Sequence, residues 1–459
     1  MLLTVAPREG TRPPGPPSRG LLGHQPAYAA DPLGTFRRWT AEYGDTVRLR
    51  FGPVPVLLLT RPEAVEDVLV RVADAFEKAP LIRRSARTVI GDSVFVAEGE
   101  HWQRQRRLLE PLFTAKRVAA AIPEISRHVT AMTSDWEPGH EIQALAATMA
   151  LSQRIGGRVL FGADVAETDI VDVAAALRVT AAEFQHRIDS PFALLAPDWL
   201  PTRSHVERRR AVRRLDRVVW SLIDARRRNL AEGPDLLGEL LRQQHSVPWL
   251  TDALMRDNVM TLLVESREDP GLLLTWSLAL LSREPAIADR LAAEVRDVVR
   301  GVTPTPEELA RLPFVAAVLH EALRLYPPVY STGRRAIRDC FVAGISVKRG
   351  TVVLLSQDVT NHQHRWFTDP EAFRPDRWLE RASDALPAGV YNPFNIGPRR
   401  CLGEHLAWTI GLVALAMLVR AFRFLPVDPS PPEPMVQLSL RPSREVLLRV
   451  EPRADPSHP

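Results

Sequence analysis

Ten residues near the end of the chain, Phe394-Asn-Ile-Gly397-Pro-Arg399-Arg-Cys401-Leu-Gly403, constrain its fold more than any other segment. A lone cysteine is ordinarily a small buried hydrophobe. Cys401 instead stands in a loop with an aromatic residue seven positions before it, glycines at minus four and plus two, and an arginine at minus two. Gly397 and Gly403 permit a tight backbone that turns N–H groups toward the sulfur. The apolar run from Leu406 to Val419 reads as a buried helix whose N-terminal dipole favours a thiolate. A chain built this way needs a core large enough to bury that helix, and 459 residues provide one.

The spacing F-x-x-G-x-R-x-C-x-G resembles the haem-ligand loop of the cytochrome P-450 family, in which haem is held by a cysteine thiolate. The resemblance implies haem b as cofactor, Cys401 as the iron ligand, Phe394 beside the sulfur, and Arg399 on a haem propionate. It also implies the fold: mostly α with a small β region, in one large domain. Length alone would suggest about three domains. On this basis residues 1–30 form a proline-rich, extended segment and residues 31–459 the haem domain.

Composition agrees with an ordinary globular protein, at 45% hydrophobic and 25% charged residues. Two cysteines, Cys340 and Cys401, cannot form a disulfide framework, so a reducing cytoplasm is the natural compartment. The net charge of +4 rests almost wholly on arginine, with Lys78, Lys116 and Lys348 the only lysines. No basic stretch interleaved with aromatics points to nucleic acid. Met1-Leu-Leu-Thr-Val is too short for a signal peptide or anchor, and the apolar run 406–419 is short of the 18 or so residues of a membrane span. A soluble, cytoplasmic monomer is expected.

Alternation predicts strands over Thr46–Phe51 and Val54–Leu59, joined at Gly52-Pro53. Helical spacing covers Ala64–Val72, His101–Leu109, Pro123–Trp136, Ile142–Leu160, Arg203–Leu230, 252–283, 286–300 and 306–326. β character returns over Asp339–Leu355, and a proline-rich stretch, Pro429–Pro434, precedes a last strand pair.

Glu321-Ala-Leu-Arg324 is by itself a weak signal, since i,i+3 ion pairs are common. With Phe373-Arg-Pro375-Asp-Arg377-Trp378 some 50 residues later, it resembles the family's buried charge network that braces the proximal haem side. Trp102 and Arg106 share one helix face, and the resemblance gives them to haem propionates; His101 either joins them or caps the helix. A surface arginine-rich helix is the bland alternative. Arg334 falls where relatives place another propionate arginine, with Arg335 the neighbouring candidate.

The chain departs from the family at Val264-Glu265-Ser266-Arg267-Glu268-Asp269-Pro270-Gly271. Relatives usually read Ala-Gly-x-(Asp or Glu)-Thr-Thr on the long helix over the haem. Ungapped alignment sets Glu265 at the alanine, keeps Glu268 at the acidic position and puts Asp269 at the threonine that serves proton delivery. Either this segment is a surface turn, or it is a helix kinked at Pro270, with Glu265, Glu268 and Asp269 crowding an apolar pocket and raising one another's pKa. Arg267 would offset part of that charge. In the helical case Asp269 replaces the threonine as proton donor or water holder, and Glu265 ligates the iron or acts as an acid–base group. Otherwise normal oxygen activation is lost, in favour of peroxide-driven or non-redox rearrangement or cyclisation chemistry.

Residues 79–96 correspond to the loop covering the pocket in relatives, and their Leu81, Ile82 and Val89 with Arg83 and Arg84 suit an apolar substrate bearing one anionic group; a solvated mobile loop is the alternative. The expected function is hydroxylation, epoxidation or oxidative coupling of a hydrophobic natural-product intermediate, terpenoid or polyketide, with O2 and electrons from ferredoxin and ferredoxin reductase. Arg104, Arg107 and Arg400 could meet the acidic face of that ferredoxin. A non-catalytic, partner-activating relative is the rival of a different class, and Cys401, Arg399, Glu321 and Arg324 weigh against it.

Overall fold

The computed structural model describes residues 12–18, 20–163, 166–189, 199–230, 235–381 and 383–453. The start of the proline-rich segment, residues 1–11, therefore lies outside the described residues. Pro13 and Pro14 run along the first strand, where Arg48 donates its N–H to the Pro14 carbonyl across 2.7 Å. The expectation of extended chain to residue 30 fails over α1, Gln25–Ala30, where Pro26 starts a helix of alanine-rich sequence.

Helix α2, Pro32–Tyr43, leads into the hairpin of β1, Thr46–Phe51, and β2, Val54–Leu59, as the alternation predicts. Helix α3, Pro62–Glu66, continues as a wider turn over 67–71. Strand β3, Phe76–Lys78, is followed by α4, Pro80–Ile90. The pocket loop expected over 79–96 is thus mostly helix. Pro80 sits in its first turn, and Gly91, at φ 56°, stops it against the Asp257 carboxylate.

Helices α5, Gly99–Leu109, α6, Ala115–Ala119, and α7, Ile122–Thr133, precede β4, Glu141–Gln143, which takes the first residues of the helix expected from 142. Helices α8, Ala144–Phe161, α9, Glu167–Asp189, α10, Arg203–Arg228, and α11, Leu236–Gln244, follow; α9 and α11 have no counterpart in the sequence reading. Glu183 of α9 pairs in the interior with Arg187 and with Arg208 of α10, which staples those two helices together.

Helix α12, Asp252–Leu281, runs through the centre, between α8, α10, α15 and α18. Helix α13, Pro285–Val298, precedes α14, Pro306–Leu309, and α15, Pro313–Leu325. The single helix expected over 306–326 is broken because Pro313 begins a new one. Strands β5, Ser331–Ala336, β6, Cys340–Val342, β7, Ile345–Val347, and β8, Val352–Ser356, lead to α16, Gln357–Asn361, and α17, Arg377–Glu380. Helix α18, Glu404–Ala421, and strands β9, Phe422–Pro426, β10, Pro434–Val436, β11, Leu440–Pro442, and β12, Leu447–Pro452, complete the chain.

The main sheet has the order β1-β2-β8-β5-β3, with β2–β8 its one parallel pair. A smaller sheet runs β4-β12-β9. One continuous apolar core joins α7, α8, α12, α15 and α18. Among the described residues α18 alone is long and apolar enough to cross a membrane, and half of it is buried in that core.

Candidate active site

The proximal wall is held by a carboxylate saturated with donors. Arg324 grips Glu321 twice, at 2.9 and 2.8 Å, and neither side chain has exposed surface. Arg377 Nε adds a bond of 3.1 Å, the Arg374 N–H one of 2.9 Å, and Trp378 Nε1 one of 2.8 Å. The remaining Arg324 donors reach the carbonyls of Asn361, Pro370 and Ala372. Such a network holds only when complete, because a missing member leaves a buried unpaired charge.

The cysteine loop follows in sequence, between α17 and α18. Gly397 has φ 75°, and a Cβ there would lie 2.0 Å from the Leu69 carbonyl oxygen, so glycine is required twice over. Gly403 is different: at φ −83° it is an ordinary helix-start residue, and no backbone constraint demands it. Its N–H is directed to the Cys401 sulfur. The Cys401 N–H donates to the Phe394 carbonyl across 2.9 Å, while the Phe394 ring packs half-buried on the core.

Cys401 and Glu265 share an unusual environment. Each has exposed surface, yet protein surrounds each closely enough to desolvate it. Together these properties place both on the wall of an interior space, Cys401 below and α12 above. Burial, then Asp269, push the Cys401 thiol up to about 12, so the sulfur stays protonated until a metal takes it as thiolate.

Beside this space lies a cluster of buried charge. Arg334 is buried, and the one hydrogen bond of its side chain among the described residues goes to the neighbouring Gly333 carbonyl. Burial, then Arg399, lower its pKa to about 10. Lys78, paired across the sheet with Arg334, is lowered to about 7 by burial and then by Arg334 and Arg399. Arg399 donates to Glu98 and to the Ala97 carbonyl, and its guanidinium lies 4.4 Å from the centre of the Trp102 ring. Three cations, Lys78, Arg334 and Arg399, thus share one carboxylate, Glu98. The cluster is short of two negative charges, which the two propionates of a haem would supply. The residues present fit the cofactor.

Arg106 and His101 have partners within the chain. Arg106 ties α5 to the cysteine loop through the Arg400 carbonyl at 2.5 Å and pairs with Glu110, leaving a buried Nε without a partner. His101 is exposed and contacts Gln105. Arg335 turns away to Glu77. Neither Lys78 nor Glu98 stands in a spacing that sequence picks out; the one available signal is the rarity of lysine.

On the distal side, helix α12 is unbroken from 252 to 281 with Pro270 inside it, which excludes a surface turn at 265–271. Gly271 lets α12 approach α8, since a Cβ would lie 2.8 Å from Met149 Sδ. Glu268 points toward Arg267 at 3.4 Å and Arg441 at 3.9 Å, so its charge is answered from β11. Glu265 and Asp269, one turn apart, have no such arginine among the described residues. Burial, opposed by Lys78 and aided by Glu268, pushes Glu265 up to about 7. Burial, Glu265 and Glu268 hold Asp269 well above the usual carboxylate range.

Comparison with known proteins agrees with this geometry. Residues 13–449 match the cytochrome P-450 family profile. The chain is 32% identical over 433 residues to cyclooctat-9-en-7-ol 5-monooxygenase of Streptomyces melanosporofaciens, covering 92% of this chain and 93% of the relative. It is 30% identical to cyclooctatin synthase of the same organism, covering 92% and 91%. It is 27% identical to pentalenene oxygenase of Streptomyces avermitilis, covering 97% of both. A cysteine loop with the family's spacing, a buried Glu321–Arg324 pair, a cation cluster short of two carboxylates, and a match along nearly the whole chain have one common meaning: this protein belongs to the cytochrome P-450 family, as a haem b enzyme of the monooxygenase type.

Proposed function

We propose that the enzyme oxidises a terpenoid intermediate, with O2 and with electrons from a separate ferredoxin and its reductase. The observation that carries this reading is the end-to-end similarity to three Streptomyces enzymes whose names specify terpene-type substrates and products. When bound, the haem supplies the binding and reductive activation of dioxygen. The chain supplies Cys401 as the iron ligand and Lys78, Arg334 and Arg399 for the propionates. Asp269 takes the place of the family's threonine. Burial beside Glu265 and Glu268 holds its carboxyl well above the usual carboxylate range, which favours the protonated form that can donate where a threonine would relay. Glu265 is half-protonated near pH 7 and positions water or substrate beside it.

A second reading rests on that same carboxyl pair. Two buried acids without an arginine could protonate substrate directly, giving non-redox cyclisation or rearrangement, or support turnover with hydrogen peroxide. The test is one comparison with pentalenene as candidate substrate: ferredoxin, reductase and reduced nicotinamide; hydrogen peroxide alone; and neither. The proposal expects product only in the first, with Asp269→Asn reducing product per electron consumed by about tenfold or more. Product with neither system would end the monooxygenase reading, and full coupling in Asp269→Asn would remove Asp269 from proton delivery.

A further inference from the structure

Helices α8 and α12 cross antiparallel, with Met149 against Gly271 and Gly156 against Ser266, and the Thr148 and Thr275 hydroxyls are bonded across 2.7 Å. Gln153 comes four residues after Met149 and three before Gly156, so it shares their helix face and falls between the two contacts. Opposite it, between Ser266 and Gly271, stand Arg267 and Pro270. Gln153 is 1% exposed, and among the described residues neither its amide oxygen nor its amide nitrogen has a hydrogen-bond partner. The buried Nε of Arg267 has none either, although its Nη1 reaches Glu268 at 3.4 Å. Pro270 adds a third group: it has no N–H, so the Ser266 carbonyl lacks the donor that a helix otherwise supplies.

These groups complement one another in kind. The Gln153 amide offers donors and an acceptor, Arg267 Nε a donor, and the Ser266 carbonyl an acceptor. A simple cation would meet the donors and a simple anion the acceptors, whereas water answers both, and buried polar atoms are regularly satisfied in this way. Asp269 precedes Pro270 directly and faces away from α8, toward the space it shares with Cys401. Resting on the role given to Asp269 above, we propose that the α8–α12 crossing holds an internal water between the Gln153 amide and the Ser266 carbonyl, and that Gln153 is thereby a positioning residue for Asp269. The water ties the opened turn 266–270 to α8 and fixes the bend at Pro270. The bend sets the direction in which the neighbouring carboxyl is presented. Asp269 remains the proton donor, and Gln153 acts only through it.

Crystal structures of the ferric holoenzyme and of Gln153→Met, which keeps the side chain's length without its amide, test the site. Wild type should show an ordered water within hydrogen-bond distance of Gln153 and the Ser266 carbonyl, and Gln153→Met should lose it. No water there in wild type, a result that depends on no variant, or a water that persists in Gln153→Met would overturn the site. The positioning role is read from the C–O stretching band of the ferrous–CO complex, which senses polar groups beside the bound probe. Asp269→Asn should shift this band, Gln153→Met should shift or broaden it, and adding Gln153→Met to Asp269→Asn should change nothing further. In Pro270→Ala, which returns an N–H to the Ser266 carbonyl, Gln153→Met should no longer move the band. A Gln153→Met band identical to wild type, or an undiminished shift in either background, would overturn the positioning role. The visible spectrum of the same sample separates the two levels. A missing red-shifted thiolate band defeats the monooxygenase reading. A normal thiolate band with a C–O band that Asp269→Asn leaves unmoved removes Asp269 from the distal space, and the positioning role with it.

Discussion

The indole Nε1–H of Trp378 donates to Glu321 Oε2 across 2.8 Å, on the carboxylate that also holds Arg324 and Arg377. It comes from α17, next to Arg377 in the motif that sequence analysis joined to Glu321, and it is a neutral member of a charged group. Removing a neutral donor costs the desolvation of the acceptor it leaves, whereas removing the carboxylate strands two guanidiniums. Trp378→Phe should therefore lower stability by about 1–3 kcal/mol, and Glu321→Gln by about 3–5 kcal/mol with loss of haem. Urea unfolding followed by far-UV dichroism and Soret absorbance measures both; equal costs would contradict the ordering.

Among the described residues Glu98 is the counter-charge common to Lys78, Arg334 and Arg399, and it also accepts the Lys78 backbone N–H across 2.9 Å. In the haem-free chain, Glu98→Gln leaves three like charges together. With haem bound, two propionates share the same cations. The substitution should thus destabilise the haem-free chain by about 1–3 kcal/mol and the holoenzyme by clearly less. Paired urea midpoints with and without haem test this. An equal loss in both forms would mean that the propionates do not reach this cluster.

The haem-free chain should also show a stability minimum near pH 7 from two groups. Glu265 ordinarily titrates at 4.5 and here at about 7, so the folded state binds more protons than the unfolded between those values. Stability is then fully present below 4.5 and lost as pH rises toward 7. Lys78 falls from 10.5 to about 7, so the unfolded state binds more protons between 7 and 10.5, and stability is regained as pH rises through that window. Glu265→Gln should flatten the acid limb and Lys78→Met the alkaline one in thermal melts across pH. A Glu265→Gln profile identical to wild type would show that the carboxyl is not desolvated.

The proximal half of the site was legible because it is local in sequence. The spacing around Cys401 and the i,i+3 pair Glu321–Arg324 place their groups without knowledge of the rest of the fold. Lys78 and Glu98 were not legible, since their meaning depends on β3 pairing with β5 and on Arg399 arriving from three hundred residues away. Helix α4 was missed for a related reason: its arginines read as a solvated loop, and only Glu77, which accepts from both Arg83 and Arg335, ties the helix to the sheet. The acidic run 265–269 misleads in the other direction. Its composition is that of a turn, but the core around α8, α15 and α18 imposes a helix on it, an instance of tertiary packing overriding local propensity.

The same packing explains why Ser266 occurs where it does. A Cβ on Gly156 of α8 would lie 2.5 Å from Ser266 Oγ and 2.9 Å from its Cβ, so the two helices meet at a glycine and a small side chain. Gly156→Ala has two opposed effects. It gains about 1 kcal/mol of helix propensity, and it forces overlap at a site that costs about 1–3 kcal/mol to overpack. Overlap should win, because the obstructing atoms belong to a short side chain fixed on a buried helix and include its Cβ, which no rotamer moves. Ser266→Gly should then restore the loss, although a second glycine in α12 is unfavourable by itself. A double-mutant cycle by urea denaturation tests the pair, with an expected coupling of about 1 kcal/mol or more. Strict additivity would mean that α8 and α12 separate freely at this crossing, and the tight distal wall would be lost with it.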